Sequence, residues 1–404
     1  MRVLAVDEEI PFPPNSGKRL RSYNLVKHLA QRHEIVWISR RLEGISSSDA
    51  DFRSLGIRTI VIDNPVRRKS GLGFYLSLAA NVLSPYPYVV ESHISGQLRE
   101  AILRLVRTES FDLVHCEWTP YAANLPLTLP CPTHCMAHNV ESVVWRRNQT
   151  VERNPLRRTY FGLQAMKMEK FERNALRRFT RVSAVSMQDM QVISRWIEPD
   201  RIAVVPNGVD VRFFQPSKSR EIPKSLVFIG SLDWRPNVDC VLYFLDHIWP
   251  LIKRGCPDAR FTIVGRNPNP AMTARAERDP AVTVQGSVED VRPFLDGAQV
   301  CVVPLRIGSG SRLKILEAFA MEKAVVSTSI GAEGLDVQTG RHLLIEDTPA
   351  GFADAVAKLL NDPVRRIELS IEGRRLVEEK YSWTILASQL EREWETAAFG
   401  NIKR

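Results

Sequence analysis

The stretch 302–321, which reads VVPLRIGSGSRLKILEAFAM, is the most informative part of the chain about its fold. An apolar run ends at Pro304, a loop with two glycines follows, and from Leu313 the apolar residues recur with helical period. A strand, a glycine-containing loop and a helix in this order form the repeating unit of parallel α/β sheets. Free backbone N–H groups and the positive end of the helix dipole meet at such a helix start, where phosphate binds favourably. The stretch therefore predicts a βα unit. Many structural turns also contain two glycines, and the loop alone favours such a turn over an anion site beyond the carboxyl end of the strand.

Short apolar runs alternate with longer helical segments on both sides of this stretch. Before residue 207 the runs lie at 3–6, 35–38, 59–62, 113–116, 133–137, 182–185 and 202–205, and after it at 226–229, 261–264, 283–285, 300–303, 324–327 and 343–345. This rhythm predicts parallel sheets with helices on both faces. We therefore expect an α/β fold of two Rossmann-like, doubly wound domains facing each other across a cleft, the default place for an active site.

A turn-rich segment separates the two series of strands. Residues 206–210 read PNGVD, and the residues after them contain Pro216 and Pro223 with little periodic apolar pattern, as in a linker. A chain of 404 residues is also too long for one core. We predict an N-terminal domain at 1–207, a C-terminal domain at 208–380, and a final helix at 381–404 that packs back towards the N-terminal domain.

The composition argues against secretion, membrane spanning and metal binding. The chain begins MRVLAVDEE and has neither a signal-peptide pattern nor a run near the ~20 apolar residues of a membrane span, so we expect a cytoplasmic protein. Its six cysteines are few and irregularly spaced, unlike a disulfide framework, so we expect them to be reduced thiols. Cys131, His134, Cys135 and His138 are close in sequence, but adjacent residues of an extended segment point to opposite faces. We therefore expect no metal site there.

The formal charge of +9 is concentrated in the N-terminal half. Up to residue 207 there are 29 basic and 20 acidic side chains, against 26 of each afterwards, and residues 141–181 alone hold 11 basic and 4 acidic ones. Such asymmetry indicates an acidic partner: a phosphorylated acceptor, an anionic membrane surface or nucleic acid. A solvated helix face is an equally good explanation. Because no nucleic-acid motif accompanies the charge, we expect no nucleic-acid partner.

A second feature of this half favours the membrane alternative. Phe74, Tyr75, Leu76 and Leu78 lie close to the basic triplet at 67–69. Apolar side chains beside basic ones are typical of surfaces that rest on an anionic bilayer. The sequence thus predicts peripheral contact with the inner face of the cell membrane.

Three charged residues of the opening stretch carry its chemistry. Arg312 and Lys314 are cationic donors suited to a pyrophosphate. Glu317 lies in an otherwise apolar helical segment, where a carboxylate is costly to bury without hydrogen-bond donors. Ribose hydroxyls are suitable donors, and we favour that role. The alternatives are that Glu317 pairs with Lys314 or complements the start of the helix.

The order of these segments resembles the retaining GT-B glycosyltransferases of the family-4 type. Their C-terminal domain carries an E-x7-E motif, and the match here runs over Pro304, Gly310, Glu317, Ala318, Ala320 and the segment 324–326. Further matching segments are PNSG at 14–17, VPNGVD at 205–210, Gly230, Gly265, QGSV at 285–288 and YSW at 381–383. The resemblance spans essentially the whole chain.

The resemblance implies transfer of a sugar from a nucleotide diphosphate to an acceptor hydroxyl with retention of configuration. Polysaccharide or glycolipid biosynthesis would be the setting, with a nucleotide sugar as co-substrate, a saccharide or lipid-linked acceptor, and no obligate metal or other cofactor. The N-terminal domain would bind the acceptor and the C-terminal domain the nucleotide sugar. Donor-binding positions would be Ser309, Gly310, Ser311, Glu317, Gly230, Gly265, Ser287 and Val288.

The resemblance also assigns roles to residues that approach the reacting groups. His138 follows a predicted strand and corresponds to a histidine near the transferred sugar, while Gly17 and Arg19 belong to a loop near the acceptor and the phosphates. Arg312 and Lys314, with His138, would be the catalytic residues.

Two departures from the family pattern bear on catalysis. Ser309 stands where the first motif glutamate belongs. Ser231, and Pro236 or Asn237, stand where the family has an Arg and a Lys that hold the donor diphosphate. We expect Arg312 and Lys314 to supply the missing charge, and Arg235 is a second candidate. The loop here resembles a GxGxRLK variant found among sugar transferases linked to exopolysaccharide loci. The alternative is a protein that binds a nucleotide sugar without transferring it.

Overall fold

The computed structural model describes residues 1–14, 16–42, 52–66, 71–217, 221–307 and 313–400. The chain divides into two units. The first comprises Met1–Pro206 together with the last helix of the chain, and the second comprises Asn207–Ser382. Within the described ranges, no helix is long and apolar enough to cross a membrane.

The described part of the first unit is built on a parallel seven-stranded sheet with the order β3-β2-β1-β4-β5-β6-β7. The strands are β1 (Arg2–Val6), β2 (Glu34–Leu42), β3 (Arg58–Val66), β4 (Leu113–Cys116), β5 (Thr133–Ala137), β6 (Arg181–Ala184) and β7 (Ile202–Val204). The helices are α1 (Gly17–Leu29), α2 (Leu72–Asn81), α3 (Tyr88–Glu91), α4 (Gly96–Thr108), α5 (Glu141–Val151), α6 (Pro155–Leu176) and α7 (Met187–Ile193). Short 3₁₀ turns occupy Thr119–Asn124 and Pro199–Arg201.

The described part of the second unit is built on a parallel six-stranded sheet with the order β10-β9-β8-β11-β12-β13. The strands are β8 (Ser225–Ile229), β9 (Arg260–Val264), β10 (Val282–Val284), β11 (Val300–Val303), β12 (Ala324–Ser327) and β13 (Leu344–Ile345). The helices are α8 (Arg235–Tyr243), α9 (Trp249–Gly255), α10 (Pro270–Ala276), α11 (Arg292–Gly297), α12 (Leu313–Ala320), α13 (Ser329–Ala332), α14 (Pro349–Asn361) and α15 (Pro363–Lys380), with a π-helical turn at Phe244–Ile248.

Burial explains why the central strands are mostly apolar rather than alternating. Every residue of β4, β8, β11 and β12 is buried, because helices cover both faces of each sheet. Helix starts follow their capping residues: the Ser16 side chain accepts from the backbone N–H of Arg19, and Ser95 does the same for Leu98. The predicted α/β fold of two doubly wound Rossmann-like domains is confirmed.

The last helix, α16 (Trp383–Phe399), packs in the first unit, against α1 and the strands β4 to β6. Trp394 is fully buried there, and Glu393 forms an ion pair of 2.6 Å with Arg181 of β6. The chain thus passes through the second unit and ends on the first.

Candidate functional site

The second sheet has a topological switch point between β8 and β11. The chain leaves β8 towards β9 and β10 on one side and returns to β11 on the other. Ligands of open parallel sheets bind beyond the carboxyl ends of the strands at such a point. Gly230 directly follows β8, and α12 follows β11. The predicted residues Ser309, Gly310, Ser311 and Arg312, between β11 and α12, lie outside the described residues.

Two predicted glycines allow the backbones at this edge to approach closely. A Cβ atom on Gly265 would lie 1.8 Å from the carbonyl oxygen of Gly230. The N–H of Gly230 donates to Val264 over 3.0 Å, and that of Gly265 donates to Gly286 over the same distance. The predicted Ser287, which is exposed, and the half-buried Val288 follow this turn. The packing of the strand ends therefore requires glycine at 265, whereas a Cβ atom on Gly230 would meet the Asn237 side chain at 2.7 Å.

Glu317, the predicted ribose ligand, lies on α12. The side chain is half-buried, and neither a hydrogen bond nor an ion pair joins it to any described residue. Burial raises the pKa of Glu317 to about 7, although the nearby Lys314 acts to lower it. The pairing of Glu317 with Lys314, an alternative interpretation of the sequence, is not formed. A hydrogen-bond donor other than the described residues would stabilise the ionised carboxylate.

Lys314 is held one turn before Glu317 by contacts with the start of α8. Its Nζ donates to Oδ1 of Asn237 over 2.7 Å and lies 4.4 Å from the centre of the Phe228 ring. Asn237 is buried, and its Nδ2 donates to the carbonyl oxygen of Ser231 over 2.9 Å. A Cβ atom on Gly230 would lie 3.0 Å from the Lys314 ammonium. The ammonium therefore lies where β8 ends, beside the position at which the family pattern has a lysine.

The first sheet has its own switch point, between β1 and β4, and it is rich in charge. Asp7 follows β1 and Glu117 follows β4, and both are buried. Lys18 Nζ lies 2.5 Å from Oδ1 of Asp7. Burial raises the pKa of Asp7 to about 7, Lys18 acts to lower it, and Glu117 raises it. The sequence patterns did not single out these residues, although two of them directly follow predicted strands.

His138, predicted near the transferred sugar, directly follows β5 and joins this group. Its Nε2 lies 3.2 Å from Oε1 of Glu117. Burial lowers the pKa of His138 below its ordinary value, an effect that Glu117 opposes. Burial acts to raise the pKa of Glu117, but the hydrogen bonds from His115 and His138 outweigh burial and place it well below the ordinary value. The pair is thus an ionised carboxylate and a neutral imidazole near neutral pH.

The other predicted residues of the N-terminal half lie on the first turn of α1. Gly17 is its first residue and is exposed. Arg19 is buried and forms an ion pair with Glu9. Lys18, between them, reaches the end of β1 instead. The structure therefore brings Lys18, rather than the predicted Arg19, to the switch point.

The segment with predicted membrane contact forms α2. Tyr75 and Leu76 are exposed, whereas Phe74 and Leu78 are half-buried. The basic triplet at 67–69 lies outside the described residues. Across the described ranges, no three His, Cys, Asp or Glu side chains are grouped to hold a metal ion.

Family models match both halves of the chain. Residues 20–213 match the model described as Glycosyltransferase Family 4, and residues 223–362 match Glycosyl transferases group 1. Among solved structures, sucrose-phosphate synthase from Thermosynechococcus elongatus aligns with a TM-score of 0.73 at 16% identity, covering 98% of each chain. HepE of Anabaena, solved in complex with UDP, aligns with a TM-score of 0.68 at 11% identity, over 98% of this chain and 100% of its own.

Curated relatives extend the comparison. A Klebsiella pneumoniae protein described as an uncharacterized 44.6 kDa protein in the cps region is 22% identical over 395 residues, covering 94% of this chain and 96% of its own. The phosphatidyl-myo-inositol mannosyltransferase of Mycobacterium tuberculosis is 29% identical over 212 residues, covering 49% of this chain and 55% of the mannosyltransferase.

The two doubly wound domains have the GT-B fold, and the family models at 20–213 and 223–362 place the chain in the glycosyltransferase class. Within that class, the chain belongs to the glycosyltransferases with a family 4 domain followed by a group 1 domain. Membership in this family of enzymes argues against the alternative of a nucleotide-sugar-binding protein without activity.

Proposed function

We propose that the enzyme transfers a sugar from a nucleotide diphosphate donor to an acceptor hydroxyl, with retention of configuration, in polysaccharide or glycolipid synthesis. The observation that carries this proposal is the half-buried Glu317 carboxylate, which lacks a described partner at the carboxyl edge of the second sheet. A relative in a cps region and relatives named as mannosyltransferases support the setting. Structural neighbours solved with UDP and with UDP-glucose support the class of donor.

In this proposal Glu317 accepts hydrogen bonds from the two ribose hydroxyls of the nucleotide. Two hydroxyl donors match the two oxygens of an ionised carboxylate. Binding would lower the raised pKa of Glu317, because hydrogen bonds to the charged form favour that form. Gly230 and Gly265 leave the adjacent backbone free of side chains, so that a ligand can approach the strand ends.

Lys314, Arg312 and the start of α12 would stabilise the departing diphosphate. Negative charge gathers on that group in the transition state, and cations aimed at it in advance lower the barrier. Lys314 is already held in place by Asn237, which reduces the entropy lost when it meets the phosphate. The contribution is electrostatic, so this scheme includes neither a protein nucleophile nor an obligate metal.

The decisive experiment measures nucleotide binding and product configuration together. Calorimetric titration with UDP, GDP and ADP identifies the base, and Glu317→Ala is expected to remove binding while the protein stays folded. Transfer with the matching nucleotide sugars follows, with NMR of the product to identify the anomer. Unchanged nucleotide affinity in Glu317→Ala would refute the ribose role, and an inverted anomer would refute retention.

We further propose that the acceptor is reached at an anionic membrane surface. Leu83, just beyond α2, is 92% exposed. Asn81, at the end of α2, bonds to Gln164 of α6 over 2.8 Å, and Lys167 donates to its carbonyl oxygen over 2.7 Å. The exposed apolar helix is thereby fastened to a helix rich in exposed basic side chains, namely Arg157, Arg158, Lys170, Arg173 and the C-terminal Arg177. Exposed apolar and basic side chains on two helices joined in this way suit an anionic bilayer.

Liposome flotation tests this surface. Vesicles with anionic lipid are expected to carry the wild type, and Leu83→Glu together with Leu76→Glu is expected to release it. The control is Ile371→Glu, because Ile371 is an exposed apolar residue on α15 of the second unit, whose half of the chain has no excess of basic charge. Flotation that does not depend on anionic lipid would favour a soluble phosphorylated acceptor. So would a control variant that is released from the vesicles as readily as the double variant.

A further inference from the structure

A row of buried polar side chains crosses the first sheet beneath its switch point. His115 of β4 and His134 of β5 are register partners, and their Nδ1 atoms lie 2.9 Å apart. The Nε2 of His134 lies 2.8 Å from the hydroxyl of Ser183 on β6. All three side chains are at most 1% exposed. Buried polar groups of this kind are stable only when every donor meets an acceptor.

Glu117 joins this row to His138. Its Oε2 lies 2.6 Å from Nε2 of His115, and its Oε1 lies 3.2 Å from Nε2 of His138. The hydroxyl of Ser22 on α1 also donates to Oε1, over 2.6 Å. One carboxylate, 4% exposed, thus meets two imidazoles and a hydroxyl.

Trp394 and Glu117, which both contact His115, determine which ring nitrogens in the row carry protons. The indole Nε1–H of Trp394 can only donate, and it lies 3.2 Å from Nδ1 of His115. An ionised Glu117 can only accept, so His115 carries its proton on Nε2 and keeps Nδ1 as an acceptor. His134 must then donate from its own Nδ1, and its Nε2 accepts the proton of the Ser183 hydroxyl. In this arrangement every donor of the row faces an acceptor, and the single lone pair on Nδ1 of His115 is shared between Trp394 and His134.

The same carboxylate fixes His138. Because Glu117 accepts, the Nε2 of His138 donates, and its Nδ1 carries the lone pair; no described residue hydrogen-bonds to that Nδ1. We propose that Glu117 is a positioning residue that holds His138 as the Nε2-protonated tautomer, presenting Nδ1 as a hydrogen-bond acceptor for a hydroxyl of the sugar substrate. The identity of the ligand rests on the proposed transfer reaction, whereas the tautomer does not.

The charged groups around the pair favour this state. His138 feels the charges of Lys18 and Arg21 of α1, and Glu117 acts on Arg21 as well as meeting His115. The two cations lower the pKa of His138, which adds to the effect of burial. Asp7, at the end of β1, is the other carboxyl beside the group, and Lys18 is paired with it. The imidazole is therefore neutral when it meets a substrate near neutral pH.

Glu117→Gln gives the test, because an amide has one acceptor side and one donor side. Trp394 continues to hold His115 as the Nε2-protonated form, so the amide oxygen must face His115. The amide NH₂ then faces His138 and donates to its Nε2, which moves the His138 proton to Nδ1. Nitrogen-15 NMR of histidine-labelled protein distinguishes the two tautomers, and His138→Gln identifies the signal. The proton is expected on Nε2 in the wild type and on Nδ1 in Glu117→Gln.

Kinetics supply the second readout. Loss of the acceptor at Nδ1 is expected to lower kcat/KM by about 10- to 100-fold, the usual effect of losing a carboxylate that orients a histidine. The loss should vanish in a His138→Gln background, because the two residues act as one unit. Ser183→Ala is the matched control: it removes a buried hydrogen bond from the far end of the row and should leave the tautomer of His138 unchanged.

Two results would overturn the proposal. One is a wild-type His138 that carries its proton on Nδ1, which can be measured even if the variant does not fold. The other is a Glu117→Gln protein whose tautomer and kcat/KM equal those of Ser183→Ala. A protein with the expected tautomers but without any transferase activity would instead contradict the proposed function.

Discussion

Replacement of Glu317 by Gln is expected to stabilise the protein while it removes nucleotide binding. The pKa of Glu317 is raised from 4.5 to about 7, so the folded state disfavours the ionised form. The resulting penalty is absent below pH 4.5, grows as pH rises, and is complete above about pH 7. At 1.36 kcal/mol for each pKa unit its upper limit is about 3 kcal/mol, and because the side chain is half-buried we expect about 1–2 kcal/mol.

Thermal unfolding with and without UDP, GDP or ADP measures both effects. At pH 8 the melting temperature of Glu317→Gln should exceed that of the wild type by roughly 2–8 °C, and the difference should shrink towards pH 5. The nucleotide that raises the wild-type Tm should no longer do so, because a neutral amide loses about 1.5–3 kcal/mol of charge-assisted hydrogen bonding. Glu322→Gln, at an exposed carboxyl just after α12, is the control. A variant that is destabilised at pH 8, or whose Tm still rises with nucleotide, would contradict the assigned role of Glu317.

Three further predictions concern the same edge of the second sheet. Lys314→Ala should weaken donor binding about 10- to 100-fold, and Asn237→Lys added to it should restore most of the affinity, since the two side chains meet at 2.7 Å; a double variant as weak as Lys314→Ala would contradict the phosphate role. Gly265→Ala should lower the free energy of unfolding by about 1–3 kcal/mol in chemical denaturation, whereas Gly255→Ala, whose Cβ meets nothing within 4 Å, should not; equal effects would contradict the close approach. The kcat/KM for the donor should rise as pH increases through about 7, because Glu317 ionises there. This rise should be absent in Glu317→Gln; if it persists, another group causes it.

The parallel sheets could be predicted from the sequence because their strands are buried on both faces. The largely apolar runs at 113–116, 133–137, 300–303 and 324–327 coincide with β4, β5, β11 and β12 residue for residue. Edge strands were less well defined: β10 begins at Val282 rather than at residue 283, and β3 runs from Arg58 to Val66, beyond the expected 59–62. Half-exposed edge strands carry a weaker apolar signal, so their ends are harder to locate.

Side-chain partners at the sites depended on contacts that sequence spacing does not contain. Arg19 and Lys18 are adjacent cations on one helix turn. Only the structure shows that Arg19 forms an ion pair with Glu9 and that Lys18 forms one with Asp7. Lys314 was predicted as the replacement for a missing cation. The contact that holds it, Asn237, is separated from it by more than seventy residues of sequence and is brought close by the order of the strands.

The two switch points show how the same residue type takes two different roles. Glu117 and Glu317 each lie beyond a central strand, and burial acts to raise the pKa of both. Their pKa values nevertheless move in opposite directions, because Glu117 meets two imidazoles and a hydroxyl, whereas Glu317 has no donor among the described residues. A carboxylate whose donors are already present serves to orient its neighbours, and one without donors gains most from a ligand that supplies them. This difference in donors, rather than position in the fold, is why Glu317 is assigned to the nucleotide and Glu117 to His138.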